Sequence, residues 1–345
     1  MLSLTINGHE VKVEPGSTIL QAAEKLGIFI PTFCYDPQLA QVGACRICVV
    51  EVEKARALVA SCCTPAADGM IVHTDSERVL AARQANLSLL LANHPLDCLT
   101  CEKTGECKLQ DYCYLYGVDE SDFVGAQKDY DLDDTNPFYI RDMNKCILCG
   151  LCVRICYDVN GAGAIEFINR GFDSKVTPAF DDPMEYSSCV FCGMCVDSCP
   201  VGALIPKEGI RQGRPWELES VKTICPYCGT GCGLELLVKD NKVVKVRGDL
   251  SNPVSRGQTC VKGHFGIDFL DSPDRLKTPL VKKNGEFRET TWEDALDLVA
   301  AKLKEVKPTE VAGLASARAT NEENYLFQKL IRSLGSNSVD HCARL

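Results

Sequence analysis

The 345-residue chain contains 22 cysteines, and they are grouped. The first group is Cys34-x10-Cys45-x2-Cys48-x13-Cys62. Four thiolates converging on two irons make a 2Fe-2S centre, and a close pair with one ligand on either side can wrap it. Zinc sites also use paired cysteines, but a ten-residue first gap suits them poorly. Cys63 competes with Cys62 for the fourth place; Cys62 is the expected ligand and Cys63 a packed free thiol. The second group is His94-x3-Cys98-x2-Cys101-x5-Cys107. One imidazole and three thiolates can hold a 4Fe-4S cube, and a neutral histidine in place of a thiolate makes the site less negative, which raises its potential. On spacing alone, Cys98 and Cys101 could bind zinc, and Cys113 could replace His94.

Next comes a duplication offset by 43 residues, Cys146-x2-Cys149-x2-Cys152-x3-Cys156 and Cys189-x2-Cys192-x2-Cys195-x3-Cys199. This is the double-cluster ferredoxin pattern, in which three cysteines of each run bind one 4Fe-4S cube and the fourth crosses to the other. One cube is therefore assigned Cys146, Cys149, Cys152 and Cys199, the other Cys189, Cys192, Cys195 and Cys156. Pro200 follows Cys199 as the pattern asks, whereas Tyr157 follows Cys156, a departure that questions the local turn and not the ligation. The last group, Cys225-x2-Cys228-x3-Cys232-x27-Cys260, also suits a 4Fe-4S cube, with a zinc ribbon as the competing reading. Only Cys63, Cys113 and Cys342 are then left over. One 2Fe-2S and four 4Fe-4S clusters in one chain make an electron wire, because a single redox site needs no relay.

The elements that must hold these loops are partly readable. Leu2–Ile6 and Val11–Val13 alternate around Asn7-Gly8, a hairpin signal. Ser17 or Thr18 caps a helix over 19–26, which Gly27 ends. Strand-like stretches at 48–52 and 58–61 complete a small β-grasp-like sheet. A helix capped by Asp75 or Ser76, with Val79, Leu80, Ala82, Leu87, Leu90 and Leu91 as its stripe, delivers His94. Residues 129–137, acidic and turn-rich, read as a linker, and residues 233–246 as a strand-like run. An α/β texture follows: helix 292–306 capped by Thr290 or Thr291, strand 310–315, and helix 321–334 behind the capping box Thr320-x-x-Glu323. Net charge −10 argues against nucleic acid. No export signal and no apolar run long enough for a membrane span is apparent, so a reducing, cytoplasmic setting is expected, where cysteine in quantity means metal or redox chemistry.

With these residues in place, the chain resembles the catalytic subunits of cytosolic, NAD(P)- or ferredoxin-linked formate dehydrogenases. Up to about residue 210 it also resembles the 75-kDa-type subunit of respiratory complex I and iron-only hydrogenases. In those families His94-Pro95-Leu96-Asp97-Cys98 is the signature of the His-ligated cluster. The Cys225 to Cys260 group resembles the proximal cluster of molybdopterin oxidoreductases, where Lys262 of Cys260-Val261-Lys262-Gly263 would bridge cluster and pterin. Gly257 to Gly266, Ser272 to Leu276, Ala315 to Asn324 and Val339 to Leu345 look specifically like formate dehydrogenase.

The resemblance implies an α+β multi-domain fold. Residues 1–78 would form a β-grasp 2Fe-2S ferredoxin domain, 79–136 a small helical His/Cys3 4Fe-4S domain and 137–212 a double 4Fe-4S ferredoxin domain. Residues 213–277 would form a molybdopterin oxidoreductase 4Fe-4S domain, and 278–345 the start of its α/β domain. It further implies formate oxidation to CO2, or the reverse, at a molybdenum or tungsten bis-molybdopterin guanine dinucleotide. The metal-ligating cysteine or selenocysteine would come just after Leu345, which leaves no catalytic residue within 1–345 and predicts that this chain alone is inactive on formate. Partners would be flavin- and iron-sulfur-containing subunits linked to NAD(P)H, ferredoxin or hydrogenase. The other readings are a non-catalytic iron-sulfur relay subunit of a complex I-like or hydrogenase assembly, and a zinc-rich scaffold.

Overall fold

Strands β1 (Leu2–Ile6) and β2 (His9–Val13) pair antiparallel across Asn7 and Gly8, whose φ values of 49° and 81° put both turn residues in the left-handed region. That is the turn whose twist matches a β-hairpin, and Asn-Gly is its preferred sequence. The computed structural model describes residues 1–341, so the expectations placed on Cys342 to Leu345 lie outside the described residues. The chain divides into two compact units, Met1–Glu219 and the residues from Ser220 onward.

In the first unit, helix α1 (Ile19–Lys25) begins at Thr18, not Ser17. The Thr18 hydroxyl accepts from Gln21 N at 3.3 Å while Gln21 Oε1 accepts from Thr18 N at 2.9 Å, a reciprocal capping box. Thr18→Ala removes the hydroxyl half of this box and is expected to lower stability by about 1 kcal/mol, read as a lower urea midpoint; an unchanged midpoint refutes it. Strands β3 (Val49–Val52), β4 (Val59–Ala60) and β5 (Ile71–His73) complete a five-stranded sheet of order β2-β1-β5-β3-β4, with β5 parallel to β1. The sequence pattern did not reveal β5, which has only three residues and pairs with a distant strand. Ile19, Leu20, Ala22 and Ala23 of α1 bury against Leu4, Ile6, Val50 and Val72, and Cys48 and Cys62 belong to the same core.

Helix α2 (Glu77–Leu91) is capped by Ser76. Its buried face holds Arg83 and Ser88 beside Val79, Leu87 and Leu91, whereas Leu80, expected in the apolar stripe, is exposed. Helix α3 (Lys108–Tyr116), closed by left-handed Gly117, packs on α2. Strand β6 (Tyr139–Arg141) opens the duplicated segment. It is followed by α4 (Leu151–Arg154), which runs into a π-turn at Ile155–Val159, then by β7 (Glu166–Ile168), β8 (Lys175–Thr177) and α5 (Met194–Ser198). Strand β9 (Leu204–Pro206) then returns to pair antiparallel with β6. The acidic linker is tied down: Asp133 exchanges two backbone hydrogen bonds with Arg141, and its carboxylate accepts from Arg141 Nη1 at 2.8 Å.

In the second unit, β10 (Glu219–Ile224), β11 (Gly233–Lys239) and β12 (Lys242–Gly248) form one sheet. The run read as a single strand is a hairpin, turned by Asp240 and Asn241 at φ 51° and 61°. Helix α6 (Val261–Phe265) follows Cys260. Strands β13 (Leu280–Lys283) and β14 (Glu286–Glu289) form a second hairpin, and α7 (Trp292–Glu305) starts at Thr291. Strand β15 (Gly313–Ala315), α8 (Asn321–Ser333) with the expected Thr320/Glu323 box, and β16 (Val339–His341), parallel to β15, make one β-α-β turn. Among the described residues no helix is long and apolar enough to cross a membrane.

Candidate metal centres

The long loop from α1 into β3 carries Cys34, Cys45 and Cys48, and the turn after β4 carries Cys62. Cys48 and Cys62 have their sulfurs 3.4 Å apart, and Cys34 is hydrogen-bonded to both Cys45 and Cys62. Four thiols so close cannot ionise independently. Bonds from Cys45 and Cys62 hold Cys34 far below an ordinary thiol, and a bond from Cys62 lowers Cys48 to about 6, while the thiols of Cys45 and Cys62 are pushed up. Backbone amides of Ala44 and Cys45 also face the Cys34 sulfur. Cys63 is exposed, and its thiol faces Ala60 O at 3.7 Å, so of the two neighbours it is Cys62 that joins the set.

Around the second group, Cys98, Cys101 and Cys107 lie within one another's electrostatic field, and Cys107 begins α3. Cys113, one turn into that helix, feels Cys107 and Cys98 and is pushed up to about 11 by burial. His94 follows α2. Burial, then the Lys145 ammonium, lowers its pKa, favouring the neutral imidazole that binds metals, and its ring is hydrogen-bonded to the Lys145 backbone. A ring nitrogen engaged by a backbone group leaves the other free to ligate. Cys113 thus lies beside Cys98 and Cys107, while His94 sits against Lys145 and lines a cavity with Cys146, Leu148 and Phe172.

The duplicated segment encloses two chambers. One is lined by Cys146, Cys149, Cys152 and Cys199 among apolar side chains such as Met143 and Val201; the other is lined by Cys156, Cys189, Cys192 and Cys195 with Tyr139 and Met184. Each chamber takes its fourth sulfur from the other repeat. The loops repeat in conformation as well as in sequence: Leu148 and Phe191 have φ 53° and 50°, and Gly150 and Gly193 have φ 71° and 81°. Leu148 N donates to Cys146 Sγ at 3.4 Å and Phe191 N to Cys189 Sγ at 3.3 Å. Where Tyr157 replaces the expected proline, the chain makes its π-turn, and Ala164 N donates to Cys156 Sγ at 3.3 Å. Desolvation raises the thiols, Cys146 to about 11 and Cys149 to about 12. Four such sulfurs could ionise together only around bound cations, which deprotonate thiols outright, so the donor set fits iron.

In the second unit, Cys225 N donates to Cys232 O at 2.8 Å and Cys260 caps α6. Cys232 feels Cys225, Cys228 and Cys260 together. Lys262 lies in α6, and its charge helps lower the Cys228 thiol. Among the described residues no three His, Cys, Asp or Glu side chains gather tightly enough to chelate a single ion; in a cubane each thiolate binds its own iron, which asks for a wider spread.

Spacing gave no hint of the long basic side chains that cross between these loops. Arg83, 3% exposed, donates to Val49 O and Tyr116 Oη, both at 3.0 Å. Lys145 pairs with Asp97 at 2.7 Å, and Arg154 reaches Ala40 and Cys34.

Five families match in series. They are the 2Fe-2S iron-sulfur cluster binding domain (1–77), the NADH-ubiquinone oxidoreductase-G iron-sulfur binding region (83–122) and the ferredoxin-like domain of NADH-quinone oxidoreductase subunit 3 (136–205). The molybdopterin oxidoreductase Fe4S4 domain (218–272) and molybdopterin oxidoreductase (275–345) follow. Over its whole length the chain is 43% identical to a G-type subunit of the NADH-quinone oxidoreductase of Rhizobium meliloti and 39% identical to the NADPH-Fe(3+) oxidoreductase subunit alpha of Geobacter sulfurreducens, spanning 40% of each. It is 36% identical to the mitochondrial NADH-ubiquinone oxidoreductase 78 kDa subunit of Candida albicans, over 98% of the chain and 47% of that protein. A solved structure, that of an NAD+-reducing [NiFe]-hydrogenase in the H2-reduced state, superposes with a TM-score of 0.56 at 33% identity, over 60% of this chain and 87% of that one.

These relatives overturn the formate dehydrogenase assignment. Those that match from end to end, including the stretches after residue 257 taken as specific to that enzyme, are named for NADH-quinone and NADPH-Fe(3+) oxidoreductases. The selenocysteine beyond Leu345, which rested on the same assignment, has no support. The chain belongs to the family of modular iron-sulfur proteins that carry a 2Fe-2S domain, an NADH-ubiquinone oxidoreductase-G iron-sulfur region, a ferredoxin-like domain and a molybdopterin oxidoreductase Fe4S4 domain in that order.

Proposed function

We propose that the chain is an iron-sulfur electron relay within a multisubunit redox assembly of the complex I or NAD-linked hydrogenase kind, divided into the five segments read from its sequence. The observation that carries this is the pair of apolar chambers with crossed cysteine sets, because two cubes in one small segment serve passage of electrons and not storage. On this reading Cys34, Cys45, Cys48 and Cys62 hold a 2Fe-2S centre. His94, Cys98, Cys101 and Cys107 hold a 4Fe-4S centre, the two chambers hold one each, and Cys225, Cys228, Cys232 and Cys260 hold the last, with Lys262 as a nearby counter-charge. The relatives' names support partner subunits that handle NAD(P)H, with the relay lying between them and an acceptor. Bound iron supplies the redox chemistry, and the chain's residues supply spacing, dryness and amide hydrogen bonds to sulfur.

Anaerobically isolated protein is expected to be brown, with about 18 irons per chain and matching sulfide, and with both 2Fe-2S and 4Fe-4S signals in electron paramagnetic resonance. Zinc in place of iron would refute the reading. Molybdenum or tungsten stoichiometric with the chain in the native assembly would mark a catalytic subunit instead.

A further inference from the structure

We propose that Arg154 is the positioning residue that couples the 2Fe-2S site to the 4Fe-4S site of Cys146, Cys149, Cys152 and Cys199, and that it sets the rate at which an electron crosses between them. Arg154 lies two residues from Cys152 and two from Cys156, at the end of α4. Its side chain leaves that segment and closes on the loop that starts at the first cysteine of the chain: Nη1 donates to Ala40 O at 2.8 Å and Nη2 to Cys34 O at 2.5 Å. A planar guanidinium is suited to gripping two acceptors at once. Its Nε is buried with no hydrogen-bond partner, and no carboxylate pairs with it among the described residues.

A half-buried cation without an anion is costly. The groups it meets are the backbone oxygens of Ala40 and of Cys34, the latter belonging to a residue of the first sulfur set. Charge from Cys34 is also felt at Cys149, so the two sulfur sets approach each other along this seam. Electron tunnelling weakens steeply with distance and less steeply through bonded paths. Arg154 offers such a path, from the Cys34 carbonyl through one hydrogen bond into the side chain and along two residues to Cys152. The step itself is simple: one electron leaves the reduced 2Fe-2S centre and arrives on the oxidised 4Fe-4S centre, with no bond formed and no proton moved. Lys145, paired with Asp97 beside Cys98, crosses the seam to the other neighbour and cannot replace this contact.

This inference rests on the relay reading, and the experiment separates the two. Native protein, Arg154→Met and Arg154→Lys are photoreduced and freeze-quenched, and the 2Fe-2S and 4Fe-4S signals are followed in time; the 2Fe-2S midpoint potential is measured by redox titration. Arg154→Met is expected to retain both signals, to equilibrate about tenfold more slowly and to show a more negative 2Fe-2S potential. Arg154→Lys, which keeps the charge but not the fork, should recover the potential and only part of the rate. Unchanged rate and potential in Arg154→Met overturn the proposal. If Arg154→Met loses the 2Fe-2S centre, Arg154→Lys decides: slowed equilibration supports the proposal and native kinetics overturn it. Native protein lacking either signal overturns the relay reading itself, and the inference with it.

Discussion

Cys199→Ala is expected to abolish the proposed 4Fe-4S centre assigned to Cys146 and to spare the one assigned to Cys189. The loss is large because a cubane missing one thiolate is exposed at one iron, and alanine, unlike serine, offers no replacement donor. The crossed geometry makes the outcome specific, since Cys199 lines one chamber with the three leading cysteines of the earlier repeat, and Cys156 lines the other. Cys199→Ala and Cys146→Ala should therefore delete the same resonance, and Cys156→Ala and Cys189→Ala the other, each with a fall of about four irons per chain. Metal analysis with electron paramagnetic resonance on the four variants checks this. If Cys199→Ala pairs with Cys189→Ala instead, each repeat binds its own cube and the crossed assignment fails.

Gly248→Ala disrupts the second unit. A Cβ at Gly248 would lie 2.0 Å from the carbonyl oxygen of Gly257, 2.6 Å from its carbon and 2.9 Å from its Cα. All three are backbone atoms, so no side chain can swing aside. Gly257 is itself hemmed in, at φ +82° with Leu250 Cδ2 2.6 Å from where its own Cβ would be. The clash must move the chain that runs three residues on to Cys260. The expected cost is about 3 kcal/mol or more, at or above the upper end for overpacking, with loss of the Cys225 to Cys260 centre. Gly285→Ala is the control, because its φ of +88° is strained for alanine but nothing lies within 4 Å; it should cost only about 1 kcal/mol and keep the centre. Near-native melting of Gly248→Ala would show that β12 and the Gly257 turn are not in contact.

What could be read from the sequence was what is local. Asn7-Gly8 and the capping threonines at 291 and 320 are each satisfied by neighbours within a few residues, so the pattern carries the structure. Strand β5 was missed because three residues show no alternation and its partner β1 is far away in the chain. The hairpin between β11 and β12 was merged into one run because Asp240-Asn241 lacks glycine, although both residues take left-handed conformations. Arg83 interrupted an otherwise apolar stripe for the same kind of reason: its partners, Val49 and Tyr116, are tertiary neighbours. The cysteine groups stand out in the sequence because ligation would impose their spacing. The kind of enzyme was not legible, because a relay is shared by many assemblies and the stretches taken as distinctive recur in relatives with other names.

Strands β6 and β9, three residues each, pair Tyr139 with Pro206 and Arg141 with Leu204. The chain therefore leaves the double-chamber segment beside the point where it entered. A segment whose two ends meet can be lifted out, or set into another protein, by joining neighbours that already touch. The pair of chambers is in this sense a cassette, its insertion point closed by one small ladder. A chain could gain or lose both chambers in a single step at that ladder, making or breaking with them the contacts of Lys145 to Asp97 and of Arg154 to the Cys34 loop.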